Sequence, residues 1–171
     1  MGESKEFRNT VLKTDVVLTI SAQLQEAVDD SSFMRTTIWS LINFLKGNPA
    51  APLGQVKPII PVLVATLLRT ESEAVAVDVL QGLAIFMDQA QEANLEIVAD
   101  CPGLFGKLFQ LLEPTINAQI VTLVVTNLGL FICCYNERFL RTCIEANVLV
   151  HFKGLLDHKD VSVRKEVAWS L

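Results

Sequence analysis

The sequence predicts an all-α solenoid, and three observations carry that expectation. Strand signals are nearly absent along the 171 residues. Leucine pairs that close an apolar segment recur at Leu67-Leu68, Leu111-Leu112 and Leu155-Leu156, each followed by a polar turn. The separations from Leu68 to Leu112 and from Leu112 to Leu156 are both 44 residues.

A period in the forties with three helices per unit marks an armadillo or HEAT type repeat, whose units bury their apolar faces only against neighbouring units. The first unit reads as helices over 5–13, 15–28 and 32–46, stopped by Gly47-Asn48-Pro49. The second reads as 53–57, 58–69 and 72–88. Pro58 and Pro61 fall in the first turn of its middle helix, where a missing N–H costs little. The third takes 89–99, 102–112 and 116–133, with Pro102 at a helix start, and the fourth takes 136–146, 148–156 and 161 to the end. The whole chain, 1–171, is expected to form a single domain with repeats of about 1–47, 48–88, 89–134 and 135–171. The last is incomplete, since the chain stops at Leu171 partway through a third helix. With no polar cap at either end, the sequence reads as a truncated run of repeats whose exposed apolar ends predict self-association.

Composition narrows the function classes. With 51% hydrophobic and 19% charged residues the chain has the make-up of a well-buried globular protein. Mean hydropathy is positive, yet Arg69, Asp88, Glu113 and Arg138 interrupt the apolar segments before any reaches the roughly 18 residues of a membrane span. No signal peptide is evident in the polar stretch 5–15, so a soluble, intracellular protein is expected. A net charge of −5 argues against direct nucleic-acid binding and favours a basic partner. Cys101, Cys133, Cys134 and Cys143 form no CxxC pair and are read as small buried hydrophobes, with no metal or cofactor implied. His151 and His158 are the only histidines, with His151 expected on a helix surface and His158 in a turn. They converge on no carboxylate and nucleophile, and no phosphate-binding glycine loop appears, so no enzyme is expected.

Trp39 and Asn43 lie four residues apart in TTIWSLINFLKG and share one helical stripe. On their own they fit a core tryptophan with a rim asparagine as well as a surface that grips an extended peptide. The repeat adds information. Positions equivalent to Trp39 are Gln81, Val125 and Trp169, and positions equivalent to Asn43 are Ile85 and Gly129, so both tryptophans of the chain fall at the same phase of a third helix.

The segments EFRNTVLKTDVVL, TTIWSLINFLKGNPAAPLGQVKPIIPVLVATLL, AIFMD, CIEANVLVHFKGLL and VRKEVAWSL resemble the central armadillo repeats of the importin-α (karyopherin-α) family, the adaptors that read classical nuclear localisation signals. The resemblance covers essentially the whole chain and is strongest over 36–68 and 165–171. It implies a right-handed superhelical armadillo-repeat solenoid of about four repeats. It also implies a concave groove in which a Trp-x-x-x-Asn array holds a basic peptide: the rings sandwich Lys or Arg stems, the amides bind the peptide backbone and acidic residues receive the cationic heads. Position by position it assigns Trp39 and Asn43 to one complete pair, Trp169 to a later tryptophan, Asp88 to a groove aspartate and Glu3 to an acidic position of the major site. It further implies cargo proteins with basic nuclear localisation signals, a location shared between cytoplasm and nucleus, and a carrier, importin-β, whose binding segment lies outside this region.

The departures from the family pattern are Gln81 and Ile85 in the second repeat and Val125 and Gly129 in the third. A two-residue shift offers Asn127 and Phe131 instead of the last two, and both registers fit. These degenerate groove positions predict weak peptide binding and keep a second function open, that of a generic armadillo or HEAT scaffold that does not bind classical signals.

Overall fold

A computed structural model describes residues 5–27, 31–47, 49–89, 92–113, 116–134 and 136–171. Among them are twelve α-helices and no strand: α1 (Lys5–Val11), α2 (Val16–Glu26), α3 (Ser31–Leu45), α4 (Leu53–Val56), α5 (Ile59–Arg69), α6 (Glu73–Met87), α7 (Glu92–Ala99), α8 (Leu104–Gln110), α9 (Ala118–Cys133), α10 (Glu137–Glu145), α11 (Val148–Leu155) and α12 (Val161–Ser170). The third helix is the longest of each expected repeat, but in the third and fourth repeats the first helix, with 8 and 9 residues, is not shorter than the second, with 7 and 8. No described helix is long and apolar enough to cross a membrane.

Local chemistry sets the helix starts. Pro58 is the residue before α5, where its fixed φ of −63° suits a helix entry. Asn117, Asn136 and Asp160 open α9, α10 and α12, each accepting a hydrogen bond from the backbone N–H two residues on. Hydrogen bonds from Ser162, first from its hydroxyl and then from its N–H, hold the Asp160 carboxyl below the usual carboxylate value. The stabilising effect is present above the ordinary carboxylate pKa and is lost as pH falls through the lower folded value. Pro102 does not begin α8 itself. It stands two residues earlier in a turn that Gly103, at φ 80°, completes.

Tertiary contacts divide the chain into two compact units, 1–89 and 90–171. In the first, α2 and α3 pack against α5 and α6 around Leu24, Ile38, Leu41, Leu63, Leu67 and Leu80, all fully buried. The third helices approach closely at Gly82, where an added Cβ would lie 2.7 Å from Cγ1 of Ile42. Polar side chains fasten the helix ends. Arg69 of α5 donates to the carbonyls of Leu24 and Gln25, and Gln89 donates to the carbonyl of Leu45. Arg8, only 3% exposed, donates to the carbonyls of Lys46 and Pro49 at 2.8 and 3.0 Å and to Asn9 Oδ1 at 3.2 Å. These bonds satisfy last-turn carbonyls that a helix cannot pair internally.

In the second unit α9 and α12 form the main helix pair. Gly129 gives the backbone room for Ser170, whose Oγ would be 2.4 Å from an added Cβ. Phe131 sits between Phe105 and Phe139, with ring centroids 5.1 and 5.2 Å away. Only Cys101 and Cys143 are the buried hydrophobes expected of the cysteines. Cys133 is exposed and Cys134 half-buried, because they end α9 where the chain leaves the core, and all four are free.

Replacing Arg8 with alanine leaves two carbonyls without their donor. It should cost on the order of 2–3 kcal/mol in urea unfolding at an unchanged m-value. Thiol accessibility gives a separate check. Burial, with Cys134 nearby, pushes the Cys143 thiol up to about 11, so at pH 8 native protein should be alkylated first at Cys133, with Cys143 reacting only after denaturation.

Candidate functional site

The buried stripe of α3 is filled by Met34, Ile38, Leu41, Ile42 and Leu45, which leaves Trp39 on the other side of the helix. Its ring is 62% exposed, so it is not a core residue. Asn43, one turn further on, is half-buried. A cleft opens on each flank of the tryptophan. The one toward α6 has a volume of about 500 Å³ and is lined by Arg35, Thr36, Trp39, Lys46, Asp78 and Gln81, among others. The one toward α1 and α2 has a volume of about 340 Å³, with Val11, Val16, Ile20 and Phe44 forming apolar walls beside Trp39, Ser40 and Asn43.

Arg35 bridges the first cleft to Asp78 in a forked contact, Nε to Oδ2 at 2.6 Å and Nη2 to Oδ1 at 3.5 Å. The hydrogen bonds and then the charge of Asp78 raise the guanidinium above its ordinary range. Among the described residues, the pair engages the carboxylate that lines this cleft. It was not among the expected site residues, although its separation of 43 residues, close to the repeat length, is a signal in the sequence. On α6, Gln81 is exposed and Ile85 half-buried. Asp88 is exposed as the residue after the helix, at the end that Gln89 fastens to the last turn of α3. Glu3 lies outside the described residues.

In the second unit Trp169 is 84% exposed on α12. The third-repeat positions differ from expectation. Val125 is fully buried and Gly129 is packed on Ser170, so neither lines a solvent-facing groove. The shifted register fares no better: Asn127 is buried with its Nδ2 donating to the Leu123 carbonyl, and Phe131 belongs to the aromatic cluster. The cause is that α9 is covered on more than one side: α12 packs on Gly129, and Phe105 of α8 with Phe139 of α10 encloses Phe131. Thr122 and Thr126 are among the half-exposed residues of α9, and Thr126 Oγ1 donates to Glu166 Oε1 at 2.7 Å.

His151 is exposed on α11. His158 lies in the loop before α12 but is buried, its Nδ1 accepting from the N–H of Asp160. Among the described residues no group of three or more His, Cys, Asp and Glu side chains could hold a metal ion.

Repeated three-helix units closed by a long third helix define an armadillo-repeat fold, and solved structures agree. An engineered protein matches at a TM-score of 0.81 with 22% identity, over 98% of this chain and 67% of its own. A designed armadillo repeat protein in complex with the peptide (KR)4 matches at 0.72 with 20% identity, over 95% and 67%. No family model matches the sequence. Among curated proteins, importin subunit alpha-1b of Oryza sativa subsp. japonica is 27% identical over 99% of this chain and 31% of its own length. Importin subunit alpha-2 of Arabidopsis thaliana is 29% identical over 66% and 20%. The chain is similar to these importin-α subunits and spans less than a third of their length.

If both tryptophans face water, native fluorescence should peak close to that of the unfolded chain and be quenched readily by iodide. A strongly blue-shifted native spectrum would place at least one ring in the core.

Proposed function

We propose that the chain is an armadillo-repeat adaptor segment that binds extended basic peptides of the nuclear localisation type on the α3 face. The observation that carries this reading is the exposed Trp39 ring with Asn43 one turn on and a cleft on either flank. The ring offers a face to the stem and head of a lysine or arginine. The Asn43 amide offers one acceptor and two donors to a peptide backbone. Asp88 and the carbonyl ends of α3 and α6 attract cations, and the net charge of −5 steers them. Trp169 offers a further ring, and Glu3 would add an acidic group. The designed armadillo repeat protein in complex with a (KR)4 peptide fits such chemistry. In this reading the chain works between cytoplasm and nucleus. The basic signals come from cargo proteins, and a carrier such as importin-β is engaged by parts of the relatives beyond the matched region.

A second reading, a repeat scaffold for apolar or acidic peptides, is favoured by the α3–α6 cleft. Its carboxylate is already paired with Arg35, and Lys46 adds a cation.

Titration of a fluorescent lysine-rich peptide decides between them. The first reading expects weak binding that falls with added salt and drops at least about tenfold, ~1.4 kcal/mol, in Trp39→Ala. Joint Gln81→Trp and Ile85→Asn should tighten binding by rebuilding a second pair. Equal affinity in wild type and Trp39→Ala, or selection of acidic or apolar sequences from a random peptide display, favours the scaffold.

A further inference from the structure

The α3–α6 cleft lies between consecutive third helices of the first unit. Among the described residues that line it, the charged side chains are the cations Arg35 and Lys46 and the carboxylate Asp78. On α3, Arg35 sits one turn before Trp39, so the two share a stripe of the helix. On α6, Asp78 and Gln81 are close enough in sequence to share a face in the same way. Across the gap Arg35 reaches Asp78 through Nε at 2.6 Å and Nη2 at 3.5 Å. The guanidinium side chain is 52% exposed and the carboxylate side chain only 20%, so an incoming group meets the arginine before the acid.

A basic side chain that enters this cleft beside Trp39 finds Asp78 taken. To pair with the acid it must displace Arg35 or approach two cations of its own sign. Arg35 is tethered to the same helix pair, and it competes without the loss of freedom that a peptide residue suffers on binding. An acidic side chain meets neither obstacle. A guanidinium carries five N–H donors and the contact with Asp78 engages two of them, so a carboxylate can be added with Asp78 left in place. Third-helix packing does not by itself demand a cation at this point. Glu166 of α12 stands as far before Trp169 as Asp78 stands before Gln81, and it accepts from the uncharged Thr126 hydroxyl at 2.7 Å.

We infer that Arg35 is a specificity-determining residue of the α3–α6 cleft: it stands where a basic side chain of a bound peptide would stand, and it gives that register of the peptide a preference for Asp or Glu over Lys or Arg. This inference rests on the peptide reading above and narrows it. The Trp39 ring and the Asn43 amide take basic residues and backbone, and an acidic residue flanking them falls over Arg35. The partner that fits is a peptide of mixed charge, basic with one acidic position, rather than an unbroken run of lysine.

Titration of a fluorescent lysine-rich peptide and of its single Lys-to-Glu replacements, one position at a time, tests it on the wild type, on Arg35→Gln and on Arg35→Gln combined with Asp78→Asn. The wild type should bind one of the replacements about fivefold more tightly than the parent, the upper end for a pair of charges that solvent reaches. In Arg35→Gln the freed Asp78 should turn that preference back to lysine at the same position, and with Asp78→Asn as well neither residue should be favoured. Matching helical circular dichroism and thermal unfolding confirm that the variants fold, and a merely structural role for the pair would alter every peptide alike. Replacements that weaken binding at every position, equally in wild type and Arg35→Gln, overturn the inference. So does a protein that binds neither the parent nor any replacement, with or without Arg35. Trp39→Ala keeps the two readings apart: equal affinity for the parent in wild type and Trp39→Ala removes the peptide site on α3, whereas the Arg35-dependent swing at one position stands or falls by itself.

Discussion

The close approach of consecutive third helices decides which residues of this protein meet solvent. A glycine or serine at one fixed phase, Gly82 in the first unit and Ser170 in the second, lets each helix lie against its predecessor on Ile42 and Gly129. That contact fixes the rotation of each helix about its axis. Ridge-and-groove packing tolerates little freedom once backbones are this near. With Ile38, Leu41, Ile42 and Leu45 of α3 taken up by the core, Trp39 falls outside the buried stripe. Its exposure is a consequence of packing elsewhere on the same helix.

Helix ends are held by a second, polar system. Arg8, Arg69 and Gln89 each reach across to the last-turn carbonyls of another helix in the first unit. In the second, Arg164 of α12 donates to the carbonyls of His158 and Lys159 in the loop that leads into its own helix. Of these bonds, that from Gln89 to Leu45 joins the ends of α6 and α3. It brings Asp88 and Lys46 to the same end of that helix pair.

Helix positions were almost fully legible in the sequence, because turn chemistry and the 44-residue repeat leave little choice. Rotation about the helix axis was legible only where one face is polar. α3 carries Arg35, Thr36, Trp39 and Asn43 on one side, and that side meets solvent. α9, AQIVTLVVTNLGLFIC, is apolar nearly all round, so counting along it could not tell an inward residue from an outward one. Val125, Gly129, Asn127 and Phe131 were candidates for that reason, and all four are buried. Burial of Trp39 could not be decided from the residue either, since tryptophan suits a core and a binding surface alike. Its recurrence as Trp169 was the only sequence signal. The Arg35–Asp78 pair needed the structure because it joins different repeats.

Charge and geometry pull in different directions at the α3 face. The chain as a whole attracts cations, but within the cleft Asp78 is held by a forked bond to Arg35, and Lys46 stands nearby. An incoming lysine there finds an aromatic face and carbonyl ends rather than a free carboxylate. Stacking of a cation on an exposed ring contributes only about 0.5–1 kcal/mol. Surface ion pairs such as one to Asp88 add little more. A single Trp-Asn rung therefore cannot hold a short peptide tightly by itself. Affinity must come from several rungs engaged by one extended chain, where each added contact is intramolecular once the first has formed. In the proposed peptide reading, Gln81 at the tryptophan phase of α6 and the burial of Val125 and Gly129 on α9 would matter more to binding strength than any feature of Trp39 itself.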